Sequence, residues 1–395
     1  MKQAHYKPYI VKMHPCEPRD MKKVAKSSFM SRPLREAEGL MLSSSGNYRL
    51  FCENKYFAAL DVLRAFSIVA VIYFHSVPYD FAKFGSQGVT LFFAISGFLI
   101  TTIILRSKGD DGAFAIKSFY ARRCLRIWPL YFAVLLVYVA AVLLAERDEF
   151  YKQQFFSNLK YFSTFSSNWF VGLDQPRVIF YFAWSLAAEE QFYLVWPWVE
   201  RYLKGMRPAL VAGTLVLFTS TAAWLVPGRS ENLPLTIILS ISPAICFGVI
   251  LAHLMHRPQT FQIILRYAGR PSSTPIAIVL MLAAVMLVPD FLPLKGTFVG
   301  LAMAILVATC VVREDNIVAR LTAFRSLVWL GVVSYGVYML HMLVLNLMRR
   351  GGGVVGVSNP VVLFVVTTVA STVLATVSYQ YYERPFLALK KRWHL

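Results

Sequence analysis

The sequence predicts an all-α, polytopic membrane helix bundle of about ten transmembrane helices, with the N- and C-termini both on the cytoplasmic side (N-in and C-in). Three observations carry this. The 395-residue chain is 57% hydrophobic with a mean hydropathy of +0.54, more apolar than an ordinary soluble domain. Apolar runs of about 18–22 residues, the length that crosses a bilayer core as helix, recur along most of the chain. The basic residues behind the net charge of +19 sit in the short polar connections between those runs, so topology accounts for them and no nucleic-acid partner is expected.

Taken in order, residues 1–56 are polar and basic, without the apolar stretch of a signal peptide, and read as a flexible cytoplasmic tail in which Met13, Met21, Met30 and Met41 are alternative starts. Apolar segments follow over about 60–79, 88–105, 129–145, 186–203, 209–226, 236–254, 273–289, 297–312, 327–347 and 360–382. Together they define a transmembrane domain over 57–388, with a basic cytoplasmic C-terminus over 389–395. Gly and Pro within some runs are tolerated where neighbouring helices cover the freed backbone. With the N-terminus inside, 31 of the 40 Lys and Arg residues fall on the cytoplasmic side, as the positive-inside rule requires. The 106–129 connection is then cytoplasmic and the 146–185 connection lies on the far side. The five cysteines are scattered, without CxxC or metal-ligand spacing, and suggest neither a disulfide framework nor a zinc site.

Several ionisable residues lie where lipid makes them costly. In "LDVLRAFSIVAVIYFHS" (60–76), Arg64 and His75 are eleven apart. Eleven helical steps come within about 20° of three full turns and rise about 16 Å, so both side chains share one face. The plain alternative is that Arg64 snorkels to headgroups and His75 bonds to a neighbouring helix. "ARRCLRIWP" gathers Arg122, Arg123 and Arg126 at i,i+3 and i,i+4 spacing, either as a positive-inside anchor or as a phosphate-binding cluster of guanidinium forks. "WSLAAEEQFYLVWP" brings Ser185, Glu189, Glu190 and Tyr193 to one end of the fourth span. Ser185 and Glu189 share a face, whereas the adjacent carboxylates Glu189 and Glu190 point apart. "LGVVSYGVYMLHMLVLN" buries His341, seven residues after Ser334 on the same face, and a structural role for it is as well supported as a functional one. Glu383 and Arg384, in "YYERPF", would cap the last span or pair with the arginine cluster.

These segments, with "GVTLFFAISGFLIT", "FYARRCLRIWPLYF", "SLAAEEQFYLVWP" and "SYQYYERPF", occur in the order and spacing of the acyltransferase 3 family of membrane O-acyltransferases, which the chain resembles over about residues 57–388. The resemblance implies an O-acetyltransferase of the bacterial inner membrane that moves an acyl group, most often acetyl from acetyl-CoA, onto a hydroxyl of a surface or exported glycan such as an exopolysaccharide or lipopolysaccharide. It marks Arg64 and His75 as the essential pair, Arg123 and Arg126 as the cytoplasmic arginines, and Glu189 with its neighbours as the polar end of the fourth helix. Val62 after "LD" and Met342 after His341 depart from the commoner wording and weaken a specific role for His341. A hydrolase-like extracytoplasmic domain, which some members carry, is not expected, and hydroxyl activation is expected from the membrane part or from a partner such as a polysaccharide-assembly protein.

The scheme so implied places acyl-CoA phosphates on Arg123 and Arg126, with Arg122 beside them, and brings the thioester up to His75. Arg64 binds phosphate or orients the donor, and His75 acts as general base on the acceptor hydroxyl, with Glu189 a candidate to fix its tautomer. Transient acylation of His75 or Ser185 is the alternative route. A thioester is already activated, so no metal is expected. The acceptor is a glycan or lipid-linked saccharide, with Tyr161, Phe162, Trp169, Tyr181 and Trp184 of the far-side loop as candidate stacking faces; a small metabolite or lipid acceptor is the alternative. A transporter or flippase also uses intramembrane charges, but is expected to show interrupted helices in both halves.

Overall fold

The structure is a computed structural model that describes residues 46–109, 114–172, 177–226, 232–313, 315–355 and 359–389. The expected tail up to residue 45 and the C-terminal residues 390–395 lie outside the described residues. Among those described, every regular element is helical.

Helix α1 (Ala58–Ser76) carries Arg64 and His75 and is followed by α2 (Gln87–Ser107) and the long α3 (Ile116–Ala145). The next connection folds as α4 (Glu149–Ser163) and a short turn of helix at Ser167–Phe170 before α5 (Ala183–Tyr202). Then come α6 (Arg207–Leu225), α7 (Leu233–Leu239), α8 (Pro243–Met255), α9 (Pro258–Ala268), α10 (Ser273–Leu287) and α11 (Lys295–Val312). The chain closes with α12 (Arg325–Val332), α13 (Ser334–Val355) and α14 (Pro360–Ser378), the last running into a π-helical turn at Tyr379–Glu383.

Six of these helices are long and apolar enough to cross a membrane, and up to nine spans result if each bent pair counts as one. The pairs are α7 with α8, bent by 53°, α9 with α10, bent by 83°, and α12 with α13, bent by 78°. Proline explains the first, since Pro243 opens α8 and cannot continue the preceding helix. The expected span over 186–203 falls on α5, whose Glu189, Glu190, Glu200 and Arg201 make it too charged to qualify on composition. Leu144, Leu217, Leu287 and Val369 leave bare apolar surface on the outside of the bundle, the face a lipid-exposed helix presents.

Close packing fixes the interior. A side chain at Gly97 would overlap the Ile245 carbonyl and one at Gly248 the Ala94 carbonyl, so α2 and α8 cross backbone to backbone, as small residues permit in membrane bundles. Part of the expected tail joins the bundle: residues 46–53 are helical, Phe51 is buried, and Arg106 of α2 donates to the carbonyls of Phe51 (2.7 Å) and Asn54 (2.5 Å).

Candidate active site

Five helices meet around a cavity of about 150 Å³, into which α1 brings Arg64, α2 Ser96, α3 Arg123 and Arg126, α5 Ser185 and Glu189, and α13 Ser334, Tyr335 and Tyr338. Arg64 contacts Asp61 at 3.4 Å, and Asp61 also accepts from the Tyr56 hydroxyl at 2.5 Å. Arg126 lies within electrostatic reach of Arg64, Arg123 and Asp61. The Arg123 guanidinium sits 3.8 Å from the centre of the Tyr193 ring, a cation–π contact that holds it in the cavity wall. Tyr193 shares a short hydroxyl–hydroxyl bond with Ser96. Glu189 stands among Arg123, Arg64, Ser96 and Tyr193.

The neighbouring groups turn away. Glu190 accepts from the Trp128 indole at 3.0 Å, on the side of α5 that meets α3. Arg122 donates to Ser118 one turn back at 2.7 Å and is not part of the cavity wall. Helical geometry explains the split: 100° per residue places Arg126 about midway between Arg122 and Arg123, and the cavity faces the Arg123 side.

His75, at the last turn of α1, lies beyond the cavity wall. Its Nδ1 is 2.7 Å from the Tyr181 hydroxyl. Its ring stacks on His341 with centroids 5.4 Å apart, and its carbonyl accepts from Arg349 at 2.7 Å. His341 is fully buried; its Nδ1 donates to the Tyr338 carbonyl at 2.6 Å, while Nε2 has no partner. Tyr338 joins the two regions: its hydroxyl donates to the Phe182 carbonyl at 2.9 Å and pairs with Ser185 Oγ at 2.6 Å. A polar track therefore runs from the arginine-lined cavity through Ser185 and Tyr338 to the two histidines. Glu189 is placed with the arginines rather than with His75, and Tyr181 holds the position beside the imidazole for which Glu189 was the candidate.

Tyr181 reaches His75 through an unusual backbone. The preceding Phe180 has φ +65°, a left-handed conformation that costs a bulky residue about 1–3 kcal/mol. Phe180 is fully buried and packs against the rings of Tyr131, Tyr138, Phe162 and Phe182, which offsets the strain. The aromatics of the 146–185 connection are largely structural: Phe162 is core, Tyr161 stacks on Phe170, Trp169 donates to Ser240, and Trp184 packs edge-on against Phe93. Tyr338 was accessible to sequence reasoning, since it falls at i,i+4 from Ser334 and i−3 from His341. The sequence singles out Tyr181 only as a candidate stacking face, because its partnering with His75 depends on irregular chain just before α5.

Comparison with known proteins adds an independent line. The model of a family described as an acyltransferase domain matches residues 57–380. A putative peptidoglycan O-acetyltransferase of Bacillus subtilis (strain 168), YrhL, is 29% identical across 84% of this chain and 55% of its own length. The peptidoglycan O-acetyltransferase OatA of Listeria monocytogenes is 29% identical across 84% of this chain and 56% of its own. A putative O-acetyltransferase of Staphylococcus aureus (strain COL) is 24% identical across 87% and 59%. The chain thus spans little more than half the length of these relatives. No solved structure matches it.

Proposed function

The chain belongs to the acyltransferase 3 family, and from that premise we propose that it is a bacterial inner-membrane O-acetyltransferase that takes an acyl group from cytoplasmic acyl-CoA and esterifies a hydroxyl of a cell-wall or exported glycan. The observation that carries this reading is the cavity lined by Arg64, Arg123 and Arg126, whose wall residue Tyr338 accepts through its carbonyl from His341, the ring stacked on His75. Three guanidiniums beside one cavity suit the phosphates of CoA.

His75 takes the proton of the acceptor hydroxyl as the oxygen attacks the thioester carbonyl. The C–S bond then breaks and the proton passes to the departing thiolate, so ester and free thiol are the products. Tyr181 fixes the ring of His75, and Arg64 orients the donor on the same helix face. Glycan is the favoured acceptor because two of the similar proteins are named for peptidoglycan O-acetylation. The three bent helix pairs bring transport to mind, but all lie beyond residue 232 rather than one in each half. Purified protein in sealed proteoliposomes, given radiolabelled acetyl-CoA outside and glycan on both sides, tests the reading: label is expected as base-labile ester in the glycan. Label that crosses the membrane without entering ester would favour transport.

A further inference from the structure

We propose that the break between α12 and α13 is an anion-binding site: the first turn of α13 and the Ser334 hydroxyl receive a phosphate-class anion inside the cavity, beside Arg64 and Arg126.

The break is held beside the arginines by packing. A side chain at Gly331 would overlap the Asp61 carbonyl, so the end of α12 sits against the turn of α1 that carries Arg64. The 78° bend then starts a new 22-residue helix at Ser334. The first N–H groups of a helix have no acceptor one turn back, and the aligned peptide dipoles leave that end positive. Such an end is a ready site for phosphate oxygens.

Ser334 supplies a second, independent observation. It is 0% exposed, its Oγ has no hydrogen-bond partner, and it lines the cavity. A buried hydroxyl without a partner is costly in a protein interior. The other α13 hydroxyls at the cavity are engaged, Tyr335 with the Ile127 carbonyl at 2.7 Å and Tyr338 with Ser185 and Phe182, which leaves Ser334 as the free donor. Arg64, Arg123 and Arg126 line the same cavity as Ser334 and can meet phosphate oxygens with guanidinium N–H groups; Asp61, Glu189, Glu190 and Glu383 lie within their electrostatic reach, so the site rests on directed donors rather than on excess charge. That the anion is a phosphate of CoA, rather than free phosphate, rests on the function proposed above.

The test uses full-length protein in nanodiscs, with binding of CoA, inorganic pyrophosphate and phosphate-free pantetheine measured by calorimetry. Ser334→Ala is expected to weaken CoA about tenfold or more, the worth of one hydrogen bond to a charged group. Ser334→Asp is the sharper variant. A carboxylate in the first turn is favoured by the helix dipole and shares the cavity with Arg64 and Arg126, and thermal melting checks that the fold survives. It should nevertheless weaken CoA and pyrophosphate more than tenfold while leaving pantetheine unchanged. Wild-type affinity of folded Ser334→Asp for CoA and pyrophosphate would overturn the site. Pyrophosphate binding that Ser334→Asp abolishes, in a wild-type protein with no affinity for CoA, would uphold the anion site and overturn the donor assignment.

Discussion

His75 and His341 stack ring on ring, 5.4 Å apart and 27° from parallel, although 266 positions separate them in the sequence. His341 carries a buried Nε2 without a partner, so its substitution breaks no hydrogen bond at that atom but removes the surface that seats His75. His341→Ala is expected to lower kcat for acetyl transfer about tenfold or more, the lower range for misplacing an acid–base group, with the donor KM within about twofold of wild type. Steady-state kinetics over a range of acetyl-CoA concentrations separates the two parameters.

Tyr181→Phe keeps the ring contact with His75 and removes only the hydroxyl at 2.7 Å. One hydrogen bond is worth about 1 kcal/mol, so a fall in kcat of about fivefold is expected. A purely packing role for Tyr181 would leave kcat unchanged in Tyr181→Phe, and the same transfer assay reads the difference.

The arginines should separate. Arg123→Ala and Arg126→Ala, which remove cavity-lining guanidiniums, are expected to raise the acyl-CoA KM at least about tenfold, the worth of a hydrogen bond to a charged group. Arg122→Ala, whose side chain is spent on Ser118, should change that KM less than about twofold. Equal effects at all three positions would mean that the cluster acts as a general electrostatic patch.

Outside the spans, His256 gives the fold a pH dependence. Burial first, then the Arg106 guanidinium beside it, lowers its pKa to about 3. Arg106 donates to its Nε2 at 3.2 Å; His253 and Glu200 are the other titratable neighbours, with Glu200 bonded to His253 and Lys108 at 2.7 Å each. A folded pKa below the unfolded value near 6.5 means stability present above pH 6.5 and lost progressively as the pH falls toward 3. The Tm in detergent should therefore drop between pH 7 and pH 5, and His256→Gln should flatten that drop. A Tm profile unchanged by the substitution would remove His256 from the account.

Much of this was legible in the sequence, for reasons of period and polarity. The shared face of Arg64 and His75 follows from eleven helical steps, and the divergence of Glu189 from Glu190 follows from adjacency on a helix. Hydropathy located the helices, but α5 carries too many charges for composition alone to make it a span. What stayed hidden depends on contacts between distant segments. The choice of Arg123 over Arg122 is set by where α3 faces α5, and the partnering of His75 with Tyr181 depends on a left-handed residue in irregular chain. The break at Val333 has no proline to announce it. Residues 46–53 read as tail because one buried ring, Phe51, is too weak a pattern to show docking.

The most direct test of the central claim is acetyl transfer by His75→Ala, in purified protein with its folding checked by thermal melting and its donor binding checked by calorimetry. The account predicts a loss of at least about 10²-fold in kcat, the usual contribution of a general base, with CoA affinity retained because Arg64, Arg123 and Arg126 are untouched. Wild-type turnover in folded His75→Ala protein would contradict it.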